Sequence, residues 1–215
     1  MADHEALQAF SPAVRDWFAS SFPAPTAPQI QGWPHITAGE HTLICAPTGS
    51  GKTLASFLSS IDRLTNTPRP DERSHRTRVL YISPLRALAF DIEKNLRAPL
   101  KGIEFAAERL GEGFTAPEVG MRTGDTPSSD RQKLIRRPPD LLITTPESLY
   151  LMCTSAARET LVGVETVIVD EIHAMATTKR GAHLALTLER LELITDKPPQ
   201  RIGLSATQRP LEEIA

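Results

Sequence analysis

Residues Ala46-Pro47-Thr48-Gly49-Ser50-Gly51-Lys52-Thr53 follow an apolar run, His41–Cys45, and open a helical pattern over Lys52–Leu64. Glycines at such a turn let the backbone curl until its N–H groups point at phosphate oxygens. The start of the helix adds partial positive charge there. In this reading Thr48, Gly49, Ser50 and Gly51 form the cradle. Lys52 reaches the β- and γ-phosphates of a nucleotide, and the Thr53 hydroxyl ligates Mg²⁺. The usual pattern begins with Gly where this chain has Ala46, while the GSGKT half is intact.

Outward from this turn, the runs Arg78–Ser83, Glu118–Thr123, Asp140–Thr144, Thr166–Asp170 and Arg201–Ser205 read as further strands. Most are apolar through consecutive positions, as expected of strands buried on both faces. Helical patterns lie between them at Leu85–Leu96, Ser128–Arg136, Glu147–Met152 and Arg180–Ile194. Strand–helix alternation predicts an α/β fold built on a parallel sheet of about six to seven strands with helices on both faces. Residues 1–38 read as a helical lead-in, with Ser11-Pro12 and Thr26 as helix starts, and residues 39–215 as the sheet core. The segment Thr67–Thr77 is polar and carries two prolines, so it is expected to be an exposed loop that contributes nothing to the core. Trp17 and Trp33 read as packing residues.

Each remaining polar signature begins where a strand ends. In a parallel sheet those ends share one rim, where ligands bind. Val167-Ile168-Val169-Asp170-Glu171-Ile172-His173 places two carboxylates there. Asp170 would hold Mg²⁺ through water, and Glu171 would orient and deprotonate an attacking water. Gln29 could read adenine through its amide, with Phe22 over the ring, although an exposed Gln and a core Phe fit the spacing equally well. Hydroxyls in Ser205-Ala206-Thr207 could bond His173 and the acidic pair, or form a plain strand-end turn. Arg86, Arg122, Thr123 and Thr145 could follow a nucleic-acid backbone. For any one of these arginines, a solvated surface charge is the alternative.

As a set, APTGSGKT, DEIH, SAT and the upstream Gln29 resemble the motor core of superfamily 2 helicases. The strings FPAPTAPQIQGWPHI, SPLRALAFDI, RTGDT, PPDLLITTPESLYLM and VIVDEIHAMATTKRGAHLALTLERLELI are similar to the Lhr-type (large helicase-related) branch. The resemblance runs from about Phe10 to the end of the chain. It implies a RecA-like P-loop domain that uses ATP and Mg²⁺, translocates 3′ to 5′ on single-stranded DNA and unwinds duplexes, RNA–DNA hybrids included, in DNA repair. It also implies that His173, Ser205 and Thr207 couple hydrolysis to movement, and that Arg86, Arg122, Thr123 and Thr145 touch the strand. The family's second RecA-like domain, with its arginine fingers, and its C-terminal modules are expected to lie outside this chain. Alone, the chain is therefore expected to hydrolyse ATP poorly. An RNA helicase of the DExH type and a nucleotide-switched interaction module remain open alternatives.

Composition narrows the field further. Across 215 residues, 24 Lys and Arg against 26 Asp and Glu exclude bulk electrostatic capture of a polyanion, so any nucleic acid must be held by local groups. No apolar run approaches the ~18–20 residues a membrane span needs. The segment Met1–Glu5 has no signal-peptide character. Cys45 and Cys153 stand far apart with no CxxC, which suits reduced thiols and a cytoplasmic protein.

Overall fold

The computed structural model describes residues 5–206, with the side chains of Arg86 and Leu88 outside the description. Two α-helices, α1 (Pro12–Ser21) and α2 (Ala27–Thr37), precede β1 (Thr42–Cys45) among the described residues. Then follow α3 (Lys52–Asn66), β2 (Val79–Ile82), α4 (Arg86–Leu110), β3 (Val119–Arg122) and α5 (Ser128–Arg136). The chain continues through β4 (Leu141–Thr144), α6 (Pro146–Cys153), β5 (Thr166–Val169), α7 (Lys179–Glu192) and β6 (Gln200–Ser205).

The six strands form one sheet in the order β1-β6-β5-β2-β4-β3, and every pairing is parallel. Their continuous apolar runs split by alternation into two cores. Tyr81, Ile143 and Ile168 face a layer made by α1 to α4. Leu80, Ile82, Leu142, Val167 and Val169 face α6 and α7. The alternation follows from the period of two along a strand, and it requires helices on both faces.

Trp33 secures the lead-in. Its ring is fully buried, meets Phe10 and Phe18 edge-on, and donates from Nε1 to the Ala55 carbonyl of α3 at 3.2 Å. Losing a buried ring of this size costs about 3–5 kcal/mol. This packing sets α2, and Gln29 on it, against α3.

Two sequence expectations fail here. The helix expected at Leu85–Leu96 continues to Leu110 through an internal Pro99. Ile92, Leu96, Ile103 and Ala107 keep one stripe of α4 in the core, and Gly102 admits the Trp17 indole so closely that a Cβ would lie 2.3 Å from it. That packing outweighs the hydrogen bond lost at proline. The Thr67–Thr77 segment is also not a bare loop. It buries Thr77 and sends Arg69 and Arg76 to Asp140, a fully buried carboxylate just before β4. Arg78 lies 3.8 Å from the same carboxylate, and the Glu118 N–H donates to it at 2.7 Å.

Candidate functional site

The registers Cys45–Ser205, Val169–Gly203, Ile82–Val169, Ile82–Thr144 and Arg122–Thr144 align the carboxyl ends of all six strands along one edge. The turn after β1 and the acids after β5 flank β6 on that edge. A cleft of about 1010 Å³ opens there, lined by Phe22, Gln29, Gly51, Lys52, Thr53 and Asp170 among others.

The turn is built by two glycines. Gly49 (φ +81°) and Gly51 (φ +83°) adopt the left-handed conformation, and Gly51 caps α3. A Cβ on Gly51 would meet Gln29 Nε2 at 2.9 Å, so Gln29 seats directly against the bare glycine. Ala46 needs no such freedom. Its φ is negative and its N–H extends the sheet ladder to the Ser205 carbonyl at 3.1 Å. The departure from the usual first glycine is therefore tolerated.

Lys52 opens α3 and is 5% exposed, yet no acceptor among the described residues bonds its ammonium. The buried Ser50 hydroxyl likewise has no partner. A buried, unpartnered hydroxyl and an ammonium without a protein acceptor at a helix start fit a phosphate ligand. The oxygen donors Thr53 and Asp170 on the same cleft suit a hard cation such as Mg²⁺.

Gln29 lines the cleft, but its amide is partly engaged. Its Oε1 accepts the Thr26 N–H at 2.9 Å, and its Nε2 donates weakly to the Gly51 carbonyl at 3.4 Å. One lone pair and one N–H remain for a base. Phe22 sits at the rim, 39% exposed and packed on Phe18 with ring centroids 4.9 Å apart.

Asp170 is 5% exposed. Its Oδ1 accepts the Glu171 N–H at 2.8 Å, and its Oδ2 accepts the hydroxyl of Tyr81. Burial and the neighbouring Asp170 charge push the Tyr81 phenol well above its usual range, so it stays a donor. Sequence reading missed Tyr81. The available signal was a tyrosine inside an aliphatic strand, since a buried phenol needs a hydrogen-bond partner.

Glu171 lies in the left-handed region at φ 50°, the only non-glycine residue with positive φ among those described. That conformation costs a side-chain-bearing residue about 1–2 kcal/mol. Glu171→Gly is therefore expected to raise the melting temperature of the ligand-free chain by about 2–4 °C. An unchanged or lower value in a calorimetric melt would show that no strain is stored there.

His173 Nε2 lies 3.3 Å from Glu171 Oε2, and His173 Nδ1 accepts the Ala206 N–H at 3.1 Å. The second bond keeps Nδ1 unprotonated and leaves Nε2 to donate. The link between the acids and the end of β6 is thus a backbone amide. Among the described residues Ser205 makes no hydroxyl bond to His173 or the acids; its Oγ donates to the Ala206 carbonyl at 3.0 Å. Thr207 lies outside the described residues.

Further along the edge, Arg122 is 7% exposed and its Nη1 has no partner. Burial, followed by the nearby Arg131, lowers its pKa from the usual arginine value. The reading of a solvated surface charge therefore fails for Arg122. Thr123 N–H donates to Thr126 Oγ1 at 2.9 Å, and Arg131 Nη2 donates to the Gly124 carbonyl at 2.7 Å, which fixes the turn. Thr145 caps α6, accepting the Ser148 N–H at 3.4 Å, so its hydroxyl is already partly engaged. Arg86 begins α4 at the same edge.

Residues 26–214 match the DEAD/DEAH box helicase family. The chain is 60% identical over 209 residues to the Lhr helicase/probable uracil glycosylase of Mycolicibacterium smegmatis, covering 97% of this chain and 14% of that protein. It is 45% identical over 215 residues to the ATP-dependent helicase Lhr-Core of Methanocaldococcus jannaschii, covering 100% of this chain and 25% of that protein. The structure of Mycobacterium smegmatis helicase Lhr bound to ssDNA and AMP-PNP superposes with a TM-score of 0.92 at 59% identity, over 98% of this chain and 26% of that one. The chain thus spans between 14% and 25% of the length of these two relatives. With its RecA-like parallel sheet and this likeness to Lhr helicases, the chain belongs to the DEAD/DEAH box helicase family, on its Lhr branch.

Proposed function

We propose that this chain is the ATP-binding motor domain of a larger DNA helicase. The whole protein would couple ATP hydrolysis to 3′-to-5′ movement along single-stranded DNA and to unwinding of DNA or RNA–DNA duplexes, in DNA repair in the cytoplasm. Residues 1–38 form its adenine-side lead-in, and residues 39–215 its sheet core. A second RecA-like domain of the same protein supplies the arginine fingers, worth ~10³–10⁵ in rate for this chemistry. The observation that carries the reading is the single edge shared by the Lys52 turn, the Asp170–Glu171 pair and the unpaired Arg122 guanidinium. The Mycobacterium smegmatis relative bound to ssDNA and AMP-PNP supports it.

In this mechanism the backbone N–H groups from Thr48 to Thr53 and the Lys52 ammonium hold the phosphates, while Gln29 and Phe22 position the base. Thr53 and Asp170 hold the magnesium ion, which when bound neutralises charge on the phosphate oxygens. Glu171 takes a proton from the attacking water. His173, tied to Ala206, passes the state of the acids to the end of β6 at Ser205, and Thr207 serves the same coupling. Arg86, Arg122, Thr123 and Thr145 grip the strand.

Fluorescence anisotropy with matched DNA and RNA oligonucleotides tests this reading. DNA is expected to bind more tightly. Arg122→Ala should weaken DNA binding about 10-fold or more, as for one lost charge-assisted bond, with ATP affinity unchanged. Tighter RNA binding would replace the DNA reading with an RNA one. Binding that ignores Arg122 would contradict the shared edge.

A further inference from the structure

Among the described residues, Tyr81 is a buried polar group that reaches the acidic pair and that the mechanism above does not use. It sits in β2, in register with Ile168 of β5. Asp170 lies two residues beyond Ile168, on the same side of the sheet. A side chain leaning along its strand can span that offset only if it is long and ends in a donor. Phenylalanine has the length without the donor, and serine the donor without the length. The Tyr81 ring is fully buried and stacked on Phe57 of α3, with centroids 4.8 Å apart and planes 23° apart. The phenol is thus clamped between the helix that begins with Lys52 and the strand that ends before Asp170.

An ionised carboxylate only accepts hydrogen bonds, and its two oxygens offer about four lone-pair sites. In Asp170 the Glu171 N–H takes one site on Oδ1 and Tyr81 takes one on Oδ2. With both oxygens tethered, the carboxylate plane is held in one orientation, and Asp170 lines the cleft.

We infer that Tyr81 is a positioning residue for magnesium. It fixes the carboxylate plane of Asp170 and ties it through Phe57 to the phosphate-binding helix. The inference rests on the ATP·Mg²⁺ reading of the cleft. Partners that orient ligating groups typically account for ~10–100-fold in metal affinity. Tyr81→Phe keeps the ring and its stacking on Phe57 and removes only the hydroxyl.

The test is binding of a fluorescent ATP analogue to this chain across a Mg²⁺ titration. Tyr81→Phe is expected to bind the analogue in EDTA as the wild type does, and to need about 10-fold more Mg²⁺ for the metal-dependent gain. An unchanged midpoint in Tyr81→Phe overturns the inference alone. A wild type without any Mg²⁺-dependent gain overturns the nucleotide reading as well.

A second measurement needs no Tyr81 variant. The chain has 2 tyrosines, so ¹³Cζ labelling yields two signals, assigned with Tyr150→Phe. The Tyr81 signal is expected to shift with ATP and Mg²⁺ and to hold still with ATP in EDTA. A signal that never moves contradicts the assignment.

Discussion

Lys52→Ala is expected to weaken Mg²⁺·ATP binding by ~10²–10⁴ while making the empty chain slightly more stable. The opposite signs share one cause. Lys52 opens α3 with no protein acceptor for its ammonium among the described residues, so without ligand its charge meets the positive end of the helix dipole unopposed. Removing it relieves about 1 kcal/mol, or ~2–4 °C in melting temperature. With nucleotide bound, the same group makes charge-assisted bonds to phosphate oxygens. Two such bonds, at about 1.5–3 kcal/mol each, account for the predicted loss. Calorimetric titration and thermal melts of both proteins check the pair of signs. A less stable variant with normal affinity would mean that Lys52 is a packing residue.

The largest stability effect is expected on the opposite edge of the sheet. Asp140→Ala removes a fully buried carboxylate that faces Arg69, Arg76 and Arg78 and accepts the Glu118 N–H. Breaking a buried ion pair from one side costs about 3–5 kcal/mol, and of the three arginines Arg78 would keep its charge buried. Burial already lowers the Arg78 pKa, and Asp140 is the largest influence opposing that fall. The melting temperature should drop by about 6–20 °C. Nucleotide affinity should not change, since the phosphate turn lies at the far end of the strands. A drop below about 2 °C would show that the arginines turn to solvent on losing their partner.

How far the fold could be read from sequence depended on whether a feature is local. The turn from Ala46 to Thr53 was legible because its conformation requires glycine at Gly49 and Gly51, and the sheet because its strands are apolar on both faces. From there the shared edge followed, since parallel strands all end on one side. What escaped reading was contact between residues distant in sequence. The helix reads as ending at Leu96, and the core contacts of Ile103 and Ala107 with the packing of Trp17 on Gly102 carry α4 past Pro99. The Thr67–Thr77 segment reads as a solvated loop until Asp140 draws its arginines inward. Tyr81 and Asp170 meet across two strands. The His173 link escaped for a different reason. It ends on the Ala206 N–H, and a backbone amide leaves no mark in the residue pattern.

The most direct test of the account is a crystal structure of this chain with Mg²⁺·AMP-PNP and a short single-stranded DNA. It should show the phosphates against the amides of Gly49 to Thr53, the ion between Thr53 and Asp170, and a DNA phosphate at Arg122 on the same edge. Nucleotide bound away from Lys52, or DNA lying along the Asp140 edge, would contradict it.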